Sequence, residues 1–124
     1  MHFDQRTQTA LREFGLDTEE IAELSRSVAD AAAADARDIE RFFSGLDVVH
    51  SDMTLAHSSA EFPEHRLEYV DLYTHGADLR GYVAFDGWGV PVEGGRLLSD
   101  SIVELTLGPT VHDRVRFAAD RDEL

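Results

Sequence analysis

One long amphipathic helix, predicted over residues 17–45, constrains the fold of this chain more than any other feature. Asp17 and Glu20 have the spacing of a capping box, in which each side chain accepts a hydrogen bond from the other residue's backbone N–H. Gly45 is a typical helix end, because glycine adopts the left-handed C′ conformation without a steric clash. Apolar residues recur between these ends at intervals of three and four, which indicates one buried stripe. They are Ile21, Leu24, Val28, Ala31, Ala32, Ile39, Phe42 and Phe43.

A shorter helix is predicted before the long one, over Met1 to Gly15, with Asp4 as its N-cap. Because the link between the two is short, we expect a helical hairpin or corner.

From Leu46 onward the apolar residues alternate with polar ones, a pattern typical of strands with one buried face. Such strands are predicted over residues 48–55, 79–85, 102–107 and 111–117. Ser58 to Arg66 is interpreted as a loop. The β-branched and aromatic content of Leu67 to His75 favours a strand, although Pro63 could open a helix there and Gly76 could close it.

Glycine and proline punctuate the second half of the chain. Val90-Pro91-Val92 is predicted to be at most an edge strand, because proline cannot donate a hydrogen bond to a sheet. Gly94-Gly95 is predicted to form a turn. Residues 1–124 therefore form a single α+β domain, with two helices on one face of an antiparallel meander of about five strands.

Charge is the strongest signal in the composition. The chain has 25 Asp and Glu against 11 basic residues, a formal net charge of −14, and all 11 basic residues are Arg. The absence of lysine is unusual, since lysine is among the commonest residues of ordinary domains. At molar salt the Debye length falls to about 3 Å, which screens the repulsion between surface carboxylates. The lysine-free acidic composition of the whole chain resembles small proteins of salt-accumulating haloarchaea from an uncharacterised family. That resemblance implies a salt-rich cytoplasm and no particular activity.

Composition and motifs also exclude several functions. The net acidity argues against a nucleic-acid partner, because phosphate binding depends on cationic side chains. Without a membrane-length apolar run or a signal peptide, we expect a soluble cytoplasmic protein with no membrane partner. The chain has no cysteine, and its glycine pairs do not match phosphate- or dinucleotide-binding spacings, so no cofactor is expected.

Histidine is the enriched reactive residue type. His50, His57, His65 and His75 lie within one stretch, and His50 and Asp52 should share one side of a strand. Together with His57 they are candidate ligands of a divalent metal ion. The alternative is that these histidines are surface or partly buried polar residues, since no established metal-binding motif is present.

Aromatic residues suggest a contact surface. Tyr69, Tyr73 and His75 should share one face of their strand, and Arg80, Tyr82 and Asp86 one face of the next, with Trp88 in the adjacent turn. Tyrosine, tryptophan and arginine dominate protein contact sites. The opposite face would carry Val70, Leu72, Val83 and Phe85. The alternative is that one of the two sets lines the core and the other is half-solvated.

Three functions remain open at this stage. The first is a non-enzymatic binding module that contacts a protein partner or a second copy of itself through the uncovered sheet face or its edge. The second is a small metal-dependent enzyme or sensor built on the His/Asp group. The third is an α+β cup in which the long helix closes over a curved sheet and holds a small molecule.

Overall fold

The computed structural model describes residues 3–53, 63–108 and 113–124 of the chain. Two helices come first, followed by six strands and a short 3-10 helix at Arg121–Glu123. The helices are α1 (Gln5–Glu13) and α2 (Thr18–Phe43). The strands are β1 (Val48–Ser51), β2 (Glu64–His75), β3 (Asp78–Phe85), β4 (Trp88–Ser99), β5 (Ile102–Leu107) and β6 (Asp113–Ala118).

The long helix α2 starts where its capping box predicts. Asp17 Oδ1 accepts a hydrogen bond from the Glu20 N–H at 2.8 Å, and Glu20 Oε1 accepts one from the Asp17 N–H at 3.2 Å. The helix ends at Phe43, and Gly45 follows with a positive φ of 92°. In the part of the chain that the structure describes, no helix is both long and apolar enough to cross a membrane.

The six strands close into an antiparallel barrel in the order β1-β2-β3-β4-β5-β6. Closure comes from β1, which pairs with β2 on one side and with β6 on the other, where Ser51 lies opposite Phe117. The predicted α+β arrangement is confirmed, with six strands instead of about five. In a barrel the inner face of each strand lines the core, and the outer face is the surface left for function.

The C-terminal half of α2 packs into the same core as the barrel. Ala36, Ile39 and Phe43 are buried there, and the Phe43 ring lies 5.8 Å from that of Phe117 on β6. Gly95 on β4 makes close packing of the helix possible, because a Cβ at that position would lie 3.3 Å from Ile39 Cδ1. The strands fill the rest of the core with apolar side chains, including Val49, Val83, Phe85, Val90, Val92, Val103, Leu105, Leu107 and Val115.

The start of β2 differs from the sequence prediction, and residues 58–62 of the predicted loop lie outside the described residues. The strand interpretation of Leu67 to His75 is confirmed, but β2 begins earlier, at Glu64, inside the predicted loop. The last residues of that loop are drawn into the barrel because Glu64 and His65 pair with β1.

Two predictions about β4 are wrong. The strand runs without a break through Gly94 and Gly95, where we expected a turn, and it lies between β3 and β5 instead of at an edge. Pro91 is tolerated because it pairs with Tyr82 before the pairing with β5 begins at Val92. The Pro91 carbonyl accepts a hydrogen bond from Gly108 N–H, just beyond the end of β5, so Pro91 still bonds to the neighbouring chain segment although it has no N–H to donate.

Candidate binding surface

The outer surface of β2 and β3 carries the predicted aromatic residues. Tyr69, Tyr73 and Tyr82 are 52%, 63% and 38% exposed. In register, Tyr73 lies opposite Arg80 and Asp71 lies opposite Tyr82. Leu72, Val83 and Phe85 face the interior and are buried, and Val70 is partly buried against the same core. The two strands therefore separate their polar-aromatic and apolar sets as predicted, and the binding role of the outer set stays a prediction.

An irregularity in β2 turns Tyr69 outward. His65 and Leu67 point toward the interior, so simple alternation would also send Tyr69 inside. The register shifts between Leu67 and Tyr69, where Leu67 pairs with Phe85 and Tyr69 with Ala84, and Glu68 is the extra residue. Such a bulge re-aims the side chains that follow it. Glu68 and Tyr69 are both exposed as a result.

A groove open to solvent lies beside this bulge, with a volume of about 410 Å³. We call it the outer groove. Its walls are aromatic and its floor is made of small residues. It is lined by Glu68, Tyr69, Tyr82, Ala84, Phe85, Gly87, Trp88 and Gly89. Tyr69 and Tyr82 lie close together in it, with ring centroids 6.3 Å apart and planes tilted by 30°.

Gly89 sets the position of the Tyr82 ring. A Cβ at residue 89 would lie 2.5 Å from the Tyr82 hydroxyl and 2.6 Å from a ring carbon, so this ring occupies the space that a side chain would need. An aromatic side chain covering a strand glycine on the neighbouring strand is a recognised way to protect such a glycine. Tyr82 is nevertheless 38% exposed and lines the outer groove.

Trp88 connects the groove to the barrel interior. Its ring centroid lies 4.7 Å from that of Phe85 and 5.8 Å from that of His65, both of them buried. The same side chain is 39% exposed and lines the outer groove. Packing on one side restricts the motion of the indole, so it forms a fixed wall for a ligand on the other side.

Arg80 and His75, the two remaining candidates on this face, lie beside the groove. The Arg80 guanidinium donates hydrogen bonds to the backbone carbonyls of Leu79 and Glu93. It thereby bridges β3 to β4 just past the point where their ladder ends, at Gly81 and Val92. His75 is exposed at the end of β2, opposite Asp78. Arg80 thus has a structural task in addition to any contact role.

A second groove, of about 560 Å³, lies between the end of α2 and β2. We call it the helix groove. Arg37 and Arg41 line it on the helix side, and Leu67 and Val70 are part of its apolar wall. Glu68 and Tyr69 line both grooves, so the bulge of β2 is the ridge that separates them. The grooves together form one continuous surface across the bulge.

The candidate metal ligands are engaged with other partners. His50 Nε2 lies 3.4 Å from Glu64 Oε2, and both carboxylate oxygens of Asp52 accept hydrogen bonds from Arg116. His57 lies outside the described residues. Within the part of the chain that the structure describes, no group of three or more His, Asp or Glu side chains is arranged to hold a metal ion. A metal site at these positions stays a prediction.

Ser51 and His65 make a buried polar contact that was not predicted from the sequence. Ser51 Oγ lies 2.7 Å from His65 Nε2, and Ser51 Oγ also accepts a hydrogen bond from the Met53 N–H at 3.2 Å. Burial lowers the pKa of His65, and the neighbouring His50 lowers it further. The pair has the residue types of an activated nucleophile, but Ser51 has no exposed surface. A substrate therefore cannot reach the hydroxyl in this conformation.

Nothing local in the sequence could have revealed this contact. The two residues are separated by 14 positions, and they meet only because β1 and β2 pair with Val49 opposite His65. The alternation of Val49, Ser51 and Met53 on one side of the first predicted strand indicates that Ser51 is buried, but it does not indicate that His65 is its hydrogen-bond partner.

The chain belongs to the DUF7532 family, a family of unknown function, which matches residues 1–122. No curated protein matches the chain, and no solved structure does either. The geometry of the described residues is therefore the basis for a functional proposal.

Proposed function

We propose that this member of the DUF7532 family is a non-enzymatic binding module that docks a protein partner on the outer face of β2, β3 and β4. One observation carries the proposal: Tyr69, Tyr73 and Tyr82 lie on the outer face of β2 and β3, Trp88 lines the same groove as Tyr69 and Tyr82, and all four are more than a third exposed. Aromatic side chains of this kind are enriched at the energetic centres of protein interfaces. In line with the acidic, lysine-free composition, we place the module in a salt-rich cytoplasm.

The construction of the surface supports a docking role over a purely structural one. Tyr69 is exposed through a bulge, and it lines one concavity together with Tyr82, Trp88 and the small residue Ala84. A groove with rigid aromatic walls loses little side-chain entropy when a partner binds. If no partner bound there, an exposed apolar area of this kind would promote non-specific aggregation of the protein.

A second copy of the chain is the alternative occupant. The outer face carries Glu68 and Asp71 close to the aromatic residues, and a symmetric dimer through this face would bring the same carboxylates from both copies into one interface. Like charges brought together at an interface oppose association. We therefore favour a different polypeptide, and light scattering at molar salt measures whether the purified chain is a monomer or a dimer.

The proposal is tested with two double variants. Y69S/Y82S removes the aromatic walls, and L97S/L98S removes a comparable exposed apolar area on the far part of β4, where the two leucines are 37% and 40% exposed. Each immobilised variant is incubated with a native extract at molar salt, and a protein retained by the wild type is then purified and titrated directly. We expect the titrated affinity to fall by about 2 kcal/mol or more for Y69S/Y82S only. Equal binding by both variants would contradict the proposal.

A further inference from the structure

The outer groove combines aromatic faces with negative charge. Tyr69, Tyr82 and Trp88 form its walls, and Glu68 places a carboxylate at its edge. Asp71 lies directly opposite Tyr82 on the neighbouring strand. The face of an aromatic ring attracts a cation through its quadrupole, and neighbouring carboxylates strengthen that attraction.

We propose that the outer groove binds the guanidinium group of an arginine side chain carried by an extended segment of the partner polypeptide. This inference rests on the proposed function, because it names the chemistry that the docking surface recognises. A guanidinium is planar and weakly hydrated, and it stacks on aromatic rings while its edge donates hydrogen bonds to a carboxylate. Tyr82, whose ring occupies the space beside Gly89, supplies an aromatic side chain to the groove, and Glu68 supplies a carboxylate.

The shape of the surface favours a polypeptide over a free small molecule. Sites for small molecules bury most of the ligand, whereas this groove is open to solvent. It continues over the Glu68–Tyr69 ridge into the helix groove, which contains Arg37 and Arg41. An extended segment could cross the ridge, place its arginine in the outer groove and place an acidic or apolar side chain in the helix groove.

The groove contains its own reporter. Trp88 is the one tryptophan of the chain, so a change in tryptophan fluorescence reports on this wall. The probes are three pentapeptides, Ser-Gly-Xaa-Gly-Ser, in which Xaa is arginine, lysine or citrulline. Lysine keeps the charge without the planar group, and citrulline keeps the planar shape without the charge. Titrations at molar salt screen the general attraction of the acidic chain for any cation.

We expect saturable binding of the arginine peptide that is about tenfold tighter than that of the lysine peptide. The citrulline peptide should produce no saturable change. Tyr82→Leu, which keeps the apolar bulk and removes the ring, should weaken arginine binding about tenfold. Tyr82→Phe, which keeps the ring, should preserve it and also controls for any loss of folding. Phe14→Leu makes the same change at an exposed ring that lines neither groove, and it should leave binding unchanged.

Several results would overturn the inference. Equal affinity for the arginine and citrulline peptides would show that the positive charge is not recognised. Equal affinity for the arginine and lysine peptides would show that the planar guanidinium group is not recognised. If free methylguanidinium bound as tightly as the arginine pentapeptide, the ligand of the groove would be a small organic cation and not a polypeptide. If a natural partner docks on this face without an arginine requirement, the inference fails and the proposed function stands. If the arginine peptide binds but no partner depends on Tyr69 and Tyr82, the proposed function fails instead.

Discussion

Glu40 Oε1 accepts a hydrogen bond from the backbone N–H of Leu72 at 2.9 Å. This contact fixes α2 against a part of β2 that β1 does not cover, since β1 pairs only as far along β2 as Arg66. A helix carboxylate thereby satisfies a strand donor that would otherwise be left unpaired at an open edge. It also places the helix groove beside the ridge formed by Glu68 and Tyr69.

The first prediction concerns this contact. Glu40→Leu should lower the free energy of unfolding by about 1–3 kcal/mol, because the partly buried Leu72 N–H loses its acceptor. Glu40→Gln is the matched control, since it also removes the charge but keeps an oxygen in place. Denaturant unfolding of both variants at molar salt measures the difference. Equal stability of the two variants would show that the hydrogen bond contributes nothing.

The second prediction concerns Gly89. Gly89→Ala should displace the Tyr82 ring, because the new methyl group would lie 2.5 Å from its hydroxyl. Gly94→Ala is the control on the same strand, where the nearest atom, Thr106 Oγ1, is 3.5 Å away, an ordinary contact. We expect the Tyr82 ring resonances to shift and arginine-peptide binding to weaken in the first variant alone. Unchanged Tyr82 resonances in Gly89→Ala would contradict the packing of this wall.

The third prediction concerns pH. Burial lowers the pKa of His65, with a further contribution from His50, so the folded protein binds fewer protons at this site than the unfolded chain does. The free energy of unfolding should therefore fall as the pH drops through the unfolded-state pKa of about 6.5. His65→Gln keeps an acceptor for Ser51 and cannot titrate, so its stability should change less between pH 7.5 and 5.5. If the free energy of unfolding changed equally with pH in the wild type and in His65→Gln, His65 would not be the source of the pH dependence.

The fourth prediction concerns salt. With a net charge of −14, the carboxylates repel one another more strongly as the Debye length grows from about 3 Å at molar salt to about 30 Å at 0.01 M. We expect helix and strand content to decrease on dialysis into dilute buffer and to return when salt is restored. Far-ultraviolet circular dichroism measures this change. A signal that stays constant from molar to millimolar salt would argue against a salt-dependent fold.

Local signals in the sequence predict much of the fold. The capping box at Asp17 and Glu20 is a contact within one turn, so its spacing alone identifies the start of α2. Alternation in β2 and β3 likewise separates Tyr73 and Tyr82 from the core residues. These features depend on neighbours a few positions apart.

Features that depend on distant neighbours could not be predicted in the same way. Closure of the barrel requires Ser51 to pair with Phe117, and no local pattern encodes that register. Pro91 looks like an edge residue until the end of β5 is known. The bulge at Glu68 cannot be read from composition either, because simple alternation from Leu67 would send Tyr69 inside. The aromatic surface was therefore predicted, whereas the groove within it was not.

The most direct test of the binding surface is hydroxyl-radical footprinting of the protein at molar salt, first purified and then in native extract. Oxidation of Tyr69, Tyr82 and Trp88 should fall in the extract, because a docked partner would cover the outer groove. Phe14, 87% exposed at the C-cap of α1 and absent from the lining of the outer groove, should react equally in both samples and serves as the internal reference. Equal oxidation of the three groove residues in both samples, or protection that appears only at Phe14, would contradict the account.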